Sequence, residues 1–378
     1  MTAKAMVIGV VATLLSAAAI ADGKVTKTVA FIGGSITEGS GYRSRVMKLL
    51  RAKYPDVSFV EIAAGVSSTC SDACAYRLEE EVLAKGAPDL FVVESAVNDA
   101  QDGQFSRTRC IRGMEGAVRH MLIKRPNCAI VVGLMVNLGQ YKQLMEGKVP
   151  LQYAAHGEVA KHYGAALADV GTALVKESKA GGMTWKEYGD CHPSRAGCDL
   201  VAKTLMEAIG TVFDPRKPPV AKSLPPPLDP CSYFRGQAVP PEKVTFGAGW
   251  QHSRPDWENV PGGKRKYFTI GPIIWSETAG SVLEFKFSGT SAGAFLTAGP
   301  DAGDLEVSVD DSDWKLTKLR AYGGLHYPYV HQLAEDVADG PHVIRLRVAE
   351  AKRKNKDGTL RNCSSIRIHR LFVNGTVE

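Results

Sequence analysis

The first half of the chain alternates short apolar runs with longer stretches in which apolar residues recur every three or four positions. The runs have the length of buried β-strands, and the periodic stretches are typical of amphipathic helices. The predicted strands are residues 28–32, 57–63, 89–94, 129–135 and 165–170. The predicted helices are residues 41–54, 72–84 with Asp72 as N-cap, 107–124, 151–163 and 196–209. Alternation at this spacing predicts an α/β fold with a doubly wound parallel sheet, covered by helices on both faces.

The pattern changes after a proline-rich segment. Prolines recur through residues 214–230, which predicts a semi-rigid, extended linker. Beyond it, short β-type runs are separated by Gly, Pro and Asp turns, a pattern that favours an all-β sandwich. These runs are residues 282–287, 305–309, 343–348 and 366–373. The sequence therefore predicts an α/β domain over residues 22–213 and a β-sandwich accessory domain over residues 231–378.

The first 21 residues have the pattern of a secretory signal peptide. Lys4 precedes an apolar run over residues 5–20, and Ala19 and Ala21 are the small residues that a signal peptidase reads. The run is short for a transmembrane helix, and no stop-transfer pattern follows it. We expect cleavage after Ala21, and hence a secreted or periplasmic protein with no membrane span after cleavage.

The composition excludes several classes of protein. Hydrophobic residues make up 44% and charged residues 23% of the chain, which is close to the globular average. The net charge of +6 is too small to indicate a nucleic-acid-binding surface. No zinc-ligand pattern occurs among the eight cysteines, so we predict no metal ion. Disulfide bonds Cys191–Cys198 and Cys231–Cys363 are both possible, because spacing alone does not determine which cysteines pair.

Four short blocks place chemistry-bearing residues at the carboxyl edge of the predicted sheet, where α/β proteins bind ligands. Ser35 follows the first strand, the second strand runs into Gly65, and Asn98 follows the third. The N–H groups of Ser35 and Gly65 and the amide of Asn98 could converge as an oxyanion hole for acyl transfer. Near the end of the α/β half, His192 could take a proton from Ser35, and Asp190 could orient the ring.

Each block alone has a simpler structural explanation. A Gly-Gly-Ser sequence is compatible with an ordinary βα turn, Asn98 with a helix cap, and a lone histidine is more often structural than catalytic. The four blocks in this order nevertheless resemble the SGNH hydrolases, also called GDSL-type esterases. Gly33-Gly34-Ser35-Ile36 is similar to the first block, in the form of the subgroup that has Gly-Gly-Ser-Ile-Thr.

The other blocks match with one substitution. Gly65 matches the glycine block, and Asp190 with His192 matches the last block. Ala96-Val97-Asn98-Asp99 resembles the Gly-x-Asn-Asp block, with Ala96 in place of the usual glycine. The resemblance covers residues 28–210. It implies a flavodoxin-like sheet, a Ser35–His192–Asp190 triad, an oxyanion hole of Ser35, Gly65 and Asn98, and no cofactor.

The resemblance also implies a substrate class. Family members with an appended β-sandwich resemble carbohydrate esterases, which implies an acylated polysaccharide or oligosaccharide as partner. Two alternatives remain: a lipid or thioester esterase on the same site, and a non-catalytic carbohydrate-binding protein. The aromatic residues of the second half could stack on sugar rings or fill the sandwich core. They are Trp250, Trp257, Trp275, Trp314, Tyr322, Tyr327 and Tyr329.

Overall fold

The computed structural model describes residues 20–21, 24–221, 223–321, 323–354 and 357–378. The predicted signal peptide therefore lies outside the described residues, apart from a two-residue strand, β1 (Ile20–Ala21). Tyr322 lies outside them as well. Within the described ranges, no helix has both the length and the apolar character that a membrane span needs.

The α/β region is built on a five-stranded parallel sheet. Its strands are β2 (Lys24–Gly33), β3 (Val57–Gly65), β4 (Leu90–Glu94), β5 (Ala129–Leu134) and β6 (Ala166–Asp169). They lie in the order β3-β2-β4-β5-β6, and β1 pairs antiparallel with β2. This is the flavodoxin-like order, in which the strand order reverses between β2 and β4 and leaves a crevice at their carboxyl ends. The predicted sheet is confirmed.

Helices cover both faces of this sheet. They are α1 (Ser35–Glu38), α2 (Gly41–Lys53), α3 (Ser71–Glu81), α4 (Ala96–Asn98), α5 (Arg107–Lys124), α6 (Leu138–Met145), α7 (Leu151–His162), α8 (Val170–Lys179), α9 (Trp185–Tyr188) and α10 (Arg195–Val212). A π-helical turn, Asp99–Gly103, follows α4 directly. The periodicity did not predict α1, α4, α6, α8 or α9, because helices of one to three turns show too few repeats.

The predicted N-cap of α3 was wrong. The helix begins at Ser71, and Asp72 lies inside its first turn with 1% of its surface exposed. The Asp72 carboxylate accepts a hydrogen bond from Arg109 at 2.7 Å. The backbone N–H at the start of the helix, that of Ser71, donates a hydrogen bond to the carboxylate of Asp99, which follows β4 and α4, at 2.8 Å. A distant carboxylate thus satisfies the helix end, which a local capping rule could not foresee.

The side chains of β4 explain why its first four residues are all apolar. Phe91 and Val93 pack into the core on one face of the sheet, among α3, α5 and α7. Leu90 and Val92 pack into the core on the other face, among α2, α8 and α10. All four are fully buried, because successive side chains of a strand point to opposite faces and helices cover both.

The second half forms an antiparallel, strand-rich sandwich, as predicted. Its strands are β7 (Gly236–Val239), β8 (Val244–Phe246), β9 (Gln251–Ser253), β10 (Ile273–Ser276), β11 (Val282–Ala298), β12 (Asp304–Val309), β13 (Lys315–Thr317), β14 (Tyr327–Ala334), β15 (Gly340–Ala349), β16 (Ala351–Lys354), β17 (Leu360–Cys363) and β18 (Ile366–Val377). Strand β11 pairs with β8 and β15 over its first part and with β14 and β18 over its second. Trp250 and Trp257 are buried, whereas the other described aromatic residues from the predicted set are half-buried.

One cluster of buried hydrophobic residues contains side chains from both the α/β region and the β-rich region. The ring of Tyr76 on α3 stacks between Tyr233 and Phe372, with centroid distances of 5.0 and 5.1 Å. Phe295 of β11 joins the same buried cluster. Stacked aromatic rings bury large apolar areas, so this contact holds the two regions together. All eight cysteines are free thiols, and neither of the bridges left open by the sequence is formed.

Candidate active site

Ser35 and His192 meet at the carboxyl edge of the sheet. Ser35 is the first residue of α1, directly after β2, and His192 lies in the loop before α10. The Ser35 hydroxyl Oγ is 2.7 Å from Nε2 of His192. Ser35 is half-buried and His192 is exposed, so a substrate can reach both. A hydroxyl at this distance can pass its proton to the imidazole as it attacks an electrophile.

Asp190 is the sequence-predicted residue that the structure does not join to this pair. Its side chain is exposed, and its φ of +74° lies in the left-handed region. Among the described residues, no hydrogen bond links the Asp190 carboxylate to His192. The other ring nitrogen of His192, Nδ1, lies 3.5 Å from Sγ of Cys191. The geometry therefore assembles a serine–histidine pair without the third member.

The other predicted residues lie beside Ser35. Asn98 is 2% exposed at the end of α4, and a Cβ on Gly34 would lie 2.1 Å from its Oδ1. The amide thus packs against the backbone next to Ser35, an approach that glycine alone allows at position 34. Gly65 pairs with Gly33 across β3 and β2. A Cβ on Gly65 would lie 2.2 Å from the backbone nitrogen of Glu38, so the close contact of β3 with α1 also requires glycine.

Glu94, which the sequence did not single out, supports the turn that carries Ser35. It is the last residue of β4 and is fully buried. Its Oε1 accepts hydrogen bonds from the Gly34 backbone N–H at 3.0 Å and from the Thr37 hydroxyl at 2.6 Å. Thr37 also lies 2.8 Å from the hydroxyl of Tyr42. A carboxylate at the end of an otherwise apolar strand was the signal available in the sequence.

We expect Glu94 to make stability fall with rising pH. Burial raises the pKa of Glu94 above its ordinary value of 4.5, because the charged carboxylate is poorly solvated there. The folded state then holds this proton to a higher pH than the unfolded state. The stabilisation is complete below pH 4.5 and is lost as the pH rises through the raised pKa.

Urea unfolding of the parent and of Glu94→Gln at a series of pH values measures this contribution. The glutamine keeps a carbonyl oxygen for Gly34 and Thr37 and does not titrate. The unfolding free energy of the parent should therefore fall relative to that of Glu94→Gln as the pH rises. Parallel pH profiles would show that Glu94 does not titrate differently in the folded and unfolded states.

Comparison with known proteins gives a family match over part of the chain and several solved structures of similar fold. Residues 31–200 match the GDSL-like Lipase/Acylhydrolase family. A search of curated proteins finds no match. Among solved structures, a two-domain esterase (CEX) active on acetylated mannans is similar, with a TM-score of 0.70 and 20% identity over 93% of this chain and 92% of that chain. Its structure co-crystallised with mannopentaose gives a TM-score of 0.67 and 20% identity over 93% and 91%.

A smaller structure covers half of this chain. An acetylxylan esterase from Geobacillus stearothermophilus has a TM-score of 0.38 and 21% identity over 50% of this chain and 96% of that chain. The likeness to the two-domain esterase, in contrast, spans nearly the whole of both chains. This chain therefore shares a two-domain fold in which an α/β region precedes a β-rich one.

Proposed function

We propose that this chain is a serine esterase that removes O-acetyl groups from a polysaccharide or oligosaccharide. The premise is that residues 31–200 form a domain of the GDSL-like lipase/acylhydrolase family. The observation that carries the proposal is the 2.7 Å contact between Ser35 Oγ and His192 Nε2 at the crevice of the sheet. In this proposal the protein is secreted or periplasmic, after removal of residues 1–21.

The proposed reaction proceeds through an acyl-enzyme. Ser35 Oγ attacks the ester carbonyl while His192 Nε2 takes its proton and then passes it to the leaving sugar hydroxyl. The backbone N–H groups of Ser35 and Gly65 and the amide of Asn98 stabilise the oxyanion. Water, deprotonated by the same histidine, then releases acetate and restores Ser35. These steps use no metal ion or organic cofactor.

Two observations support a carbohydrate substrate. The overall fold is similar to that of an esterase active on acetylated mannans. The reacting side chains are also accessible, with His192 exposed and Ser35 half-buried. A polymer can approach an open site without prior movement of a lid. Release of acetate from acetylated mannan, acetylated xylan and an aryl acetate, measured side by side, tests the proposal.

Each outcome of this assay has a distinct meaning. Preferred release from one polysaccharide supports the proposal and identifies the glycan. A preference for long-chain acyl esters would replace it with a lipid esterase. Glycan binding without hydrolysis of any ester would replace it with a carbohydrate-binding protein.

We also propose that Asp190 assists His192 during turnover. Asp190→Ala should lower kcat by about 10²- to 10⁴-fold, less than loss of the serine or histidine, because the carboxylate acts only through the ring. Asp199, an exposed residue of α10 that pairs with Arg45, offers a matched control in Asp199→Ala. The comparison requires kcat on an aryl acetate for both variants. Equal activity in the two would remove Asp190 from the mechanism.

A further inference from the structure

The β-rich region contacts the loops that follow two of the three proposed oxyanion donors, Gly65 and Asn98. The Tyr327 hydroxyl donates a hydrogen bond to the Asp102 carboxylate, in the π-helical turn after Asn98. Arg320 donates to the backbone carbonyl of Asp102 at 2.6 Å and to that of Gly103 at 3.2 Å. These contacts cross more than 200 positions of sequence and end one helical turn from Asn98.

The loop after Gly65 is held in the same way. Arg265 donates hydrogen bonds to the backbone carbonyl of Ser67 at 3.1 Å and to the hydroxyl of Ser68 at 3.0 Å. Its guanidinium also lies over the ring of Tyr327, 5.4 Å from the centroid. Arg265 and Tyr327 therefore form one cluster that contacts both loops.

Asp102 determines how the Asn98 amide is oriented. The Nδ2 group of Asn98 donates to Oδ2 of Asp102 at 2.6 Å. An ionised carboxylate accepts hydrogen bonds and cannot donate, so it selects the amide orientation in which the NH₂ group faces it. The flipped orientation would place Oδ1 against the carboxylate. One hydrogen of the NH₂ group is thereby fixed, and the other is the donor that the proposed mechanism assigns to the oxyanion.

Asp102 is also the partner on which this orientation depends. Within the part of the chain that the structure describes, Oδ1 of Asn98 is buried and has no hydrogen-bond partner. It lies against Gly34, which offers a Cα hydrogen and no polar side chain. The bond from Nδ2 to Asp102 is therefore the contact that discriminates between the two amide orientations.

We propose that Asp102 and Tyr327 are positioning residues, through which the β-rich region orients the oxyanion-stabilising amide of Asn98. This inference rests on the proposed esterase function and extends it, because it makes the second region part of the catalytic machinery. Tyr327 holds one carboxylate oxygen of Asp102 and Asn98 holds the other. Since the oxyanion develops as the ester is attacked and is absent from the bound substrate, the contribution falls on kcat and leaves KM nearly unchanged.

The test compares Tyr327→Phe with Tyr267→Phe. Tyr267 is a matched control because its hydroxyl also donates to a carboxylate across the two regions, Glu81 near the end of α3, at 2.5 Å. On an aryl acetate, Tyr327→Phe should lower kcat by about 3- to 10-fold, less than the full value of a hydrogen bond to a carboxylate, because Asp102 still accepts from Asn98 in this variant. Tyr267→Phe should change kcat by less than about twofold, and KM should change little in either variant.

Two variants of Asp102 provide a second readout. Asp102→Ala leaves the Asn98 amide without a partner and should lower kcat by about 10²-fold, close to the loss of an oxyanion donor. Asp102→Asn can still present a carbonyl oxygen to Asn98 and should recover part of that loss. Thermal unfolding of all four variants measures whether they remain folded.

The outcomes separate this inference from the function on which it rests. A parent protein that hydrolyses no ester contradicts the proposed function itself. An active parent whose Tyr327→Phe and Tyr267→Phe variants have equal kcat overturns the positioning role and leaves the esterase intact. Equal kcat in Asp102→Asn and Asp102→Ala, with both folded, also counts against it, because orientation by a carbonyl acceptor would then have no effect.

Discussion

Ser35→Ala should lower kcat by about 10⁴-fold or more on any ester that the parent protein hydrolyses. The hydroxyl that forms the acyl-enzyme is then absent, and the structure places no second hydroxyl on His192 Nε2 among the described residues. His192→Ala should cause a loss of similar size, because residues of a catalytic set act as a unit. Acetate release and aryl acetate hydrolysis measure both.

A neighbouring serine offers a matched control. Ser44 is exposed on α2, and its hydroxyl donates to the carbonyl of Gly41 within the same helix. Ser44→Ala should keep nearly full activity, and Ser35→Ala should retain the unfolding temperature of the parent. If a folded Ser35→Ala protein keeps more than a tenth of the parent's kcat, Ser35 is not the nucleophile.

Glu115→Ala should lower the free energy of unfolding by roughly 4 kcal/mol or more, because four hydrogen-bond donors lose their acceptor. Glu115 is fully buried on α5. Its Oε1 accepts hydrogen bonds from the Tyr163 hydroxyl and the Leu228 N–H, both at 2.6 Å. Its Oε2 accepts from the Asp229 N–H at 3.0 Å and the Ser232 hydroxyl at 2.5 Å. Truncation leaves these donors without an acceptor, and each unsatisfied buried donor costs about 1–3 kcal/mol.

Denaturant unfolding of two further variants checks the cause of this loss. Glu115→Gln keeps one acceptor oxygen and should show a smaller loss. Glu158→Ala removes an exposed carboxylate on α7 that pairs with Arg107, and it should cost less than about 1 kcal/mol. If Glu115→Ala costs no more than Glu158→Ala, the hydrogen bonds of Glu115 contribute little to stability.

The position of Glu115 also bears on the organisation of the chain. We propose that residues 22–213 and 231–378 are the two domains and that residues 214–230 connect them. Arg119 on α5 donates to the carbonyl of Pro225, and Glu115 holds Leu228 and Asp229. The proline-rich segment is therefore anchored to α5 at its end. This anchoring limits how far the second domain can move from Asp102 and Asn98.

Much of the α/β fold could be predicted because its signals are local. The predicted helix over residues 107–124 coincides with α5, since its apolar positions repeat over five turns. Strand β4 could be predicted because burial on both faces makes residues 90–93 apolar throughout. The glycines at 34 and 65 and the residues Ser35 and Asn98 were found because the ends of parallel strands meet at one edge.

The sequence by itself determined the order of strands and helices, the change to a β-rich second half, and the edge where Ser35, Gly65, Asn98 and His192 lie. These follow from periodicity and from short motifs, in which each signal spans a few neighbouring residues. Only the tertiary structure decided which polar side chains meet. Asp102 pairs with Tyr327 across 225 positions, and Glu115 pairs with Ser232 across 117, while Asp190 does not reach His192 from two positions away. Such partners depend on how whole elements pack and on which buried donors still need an acceptor. No local pattern of residues determines which polar side chains become partners.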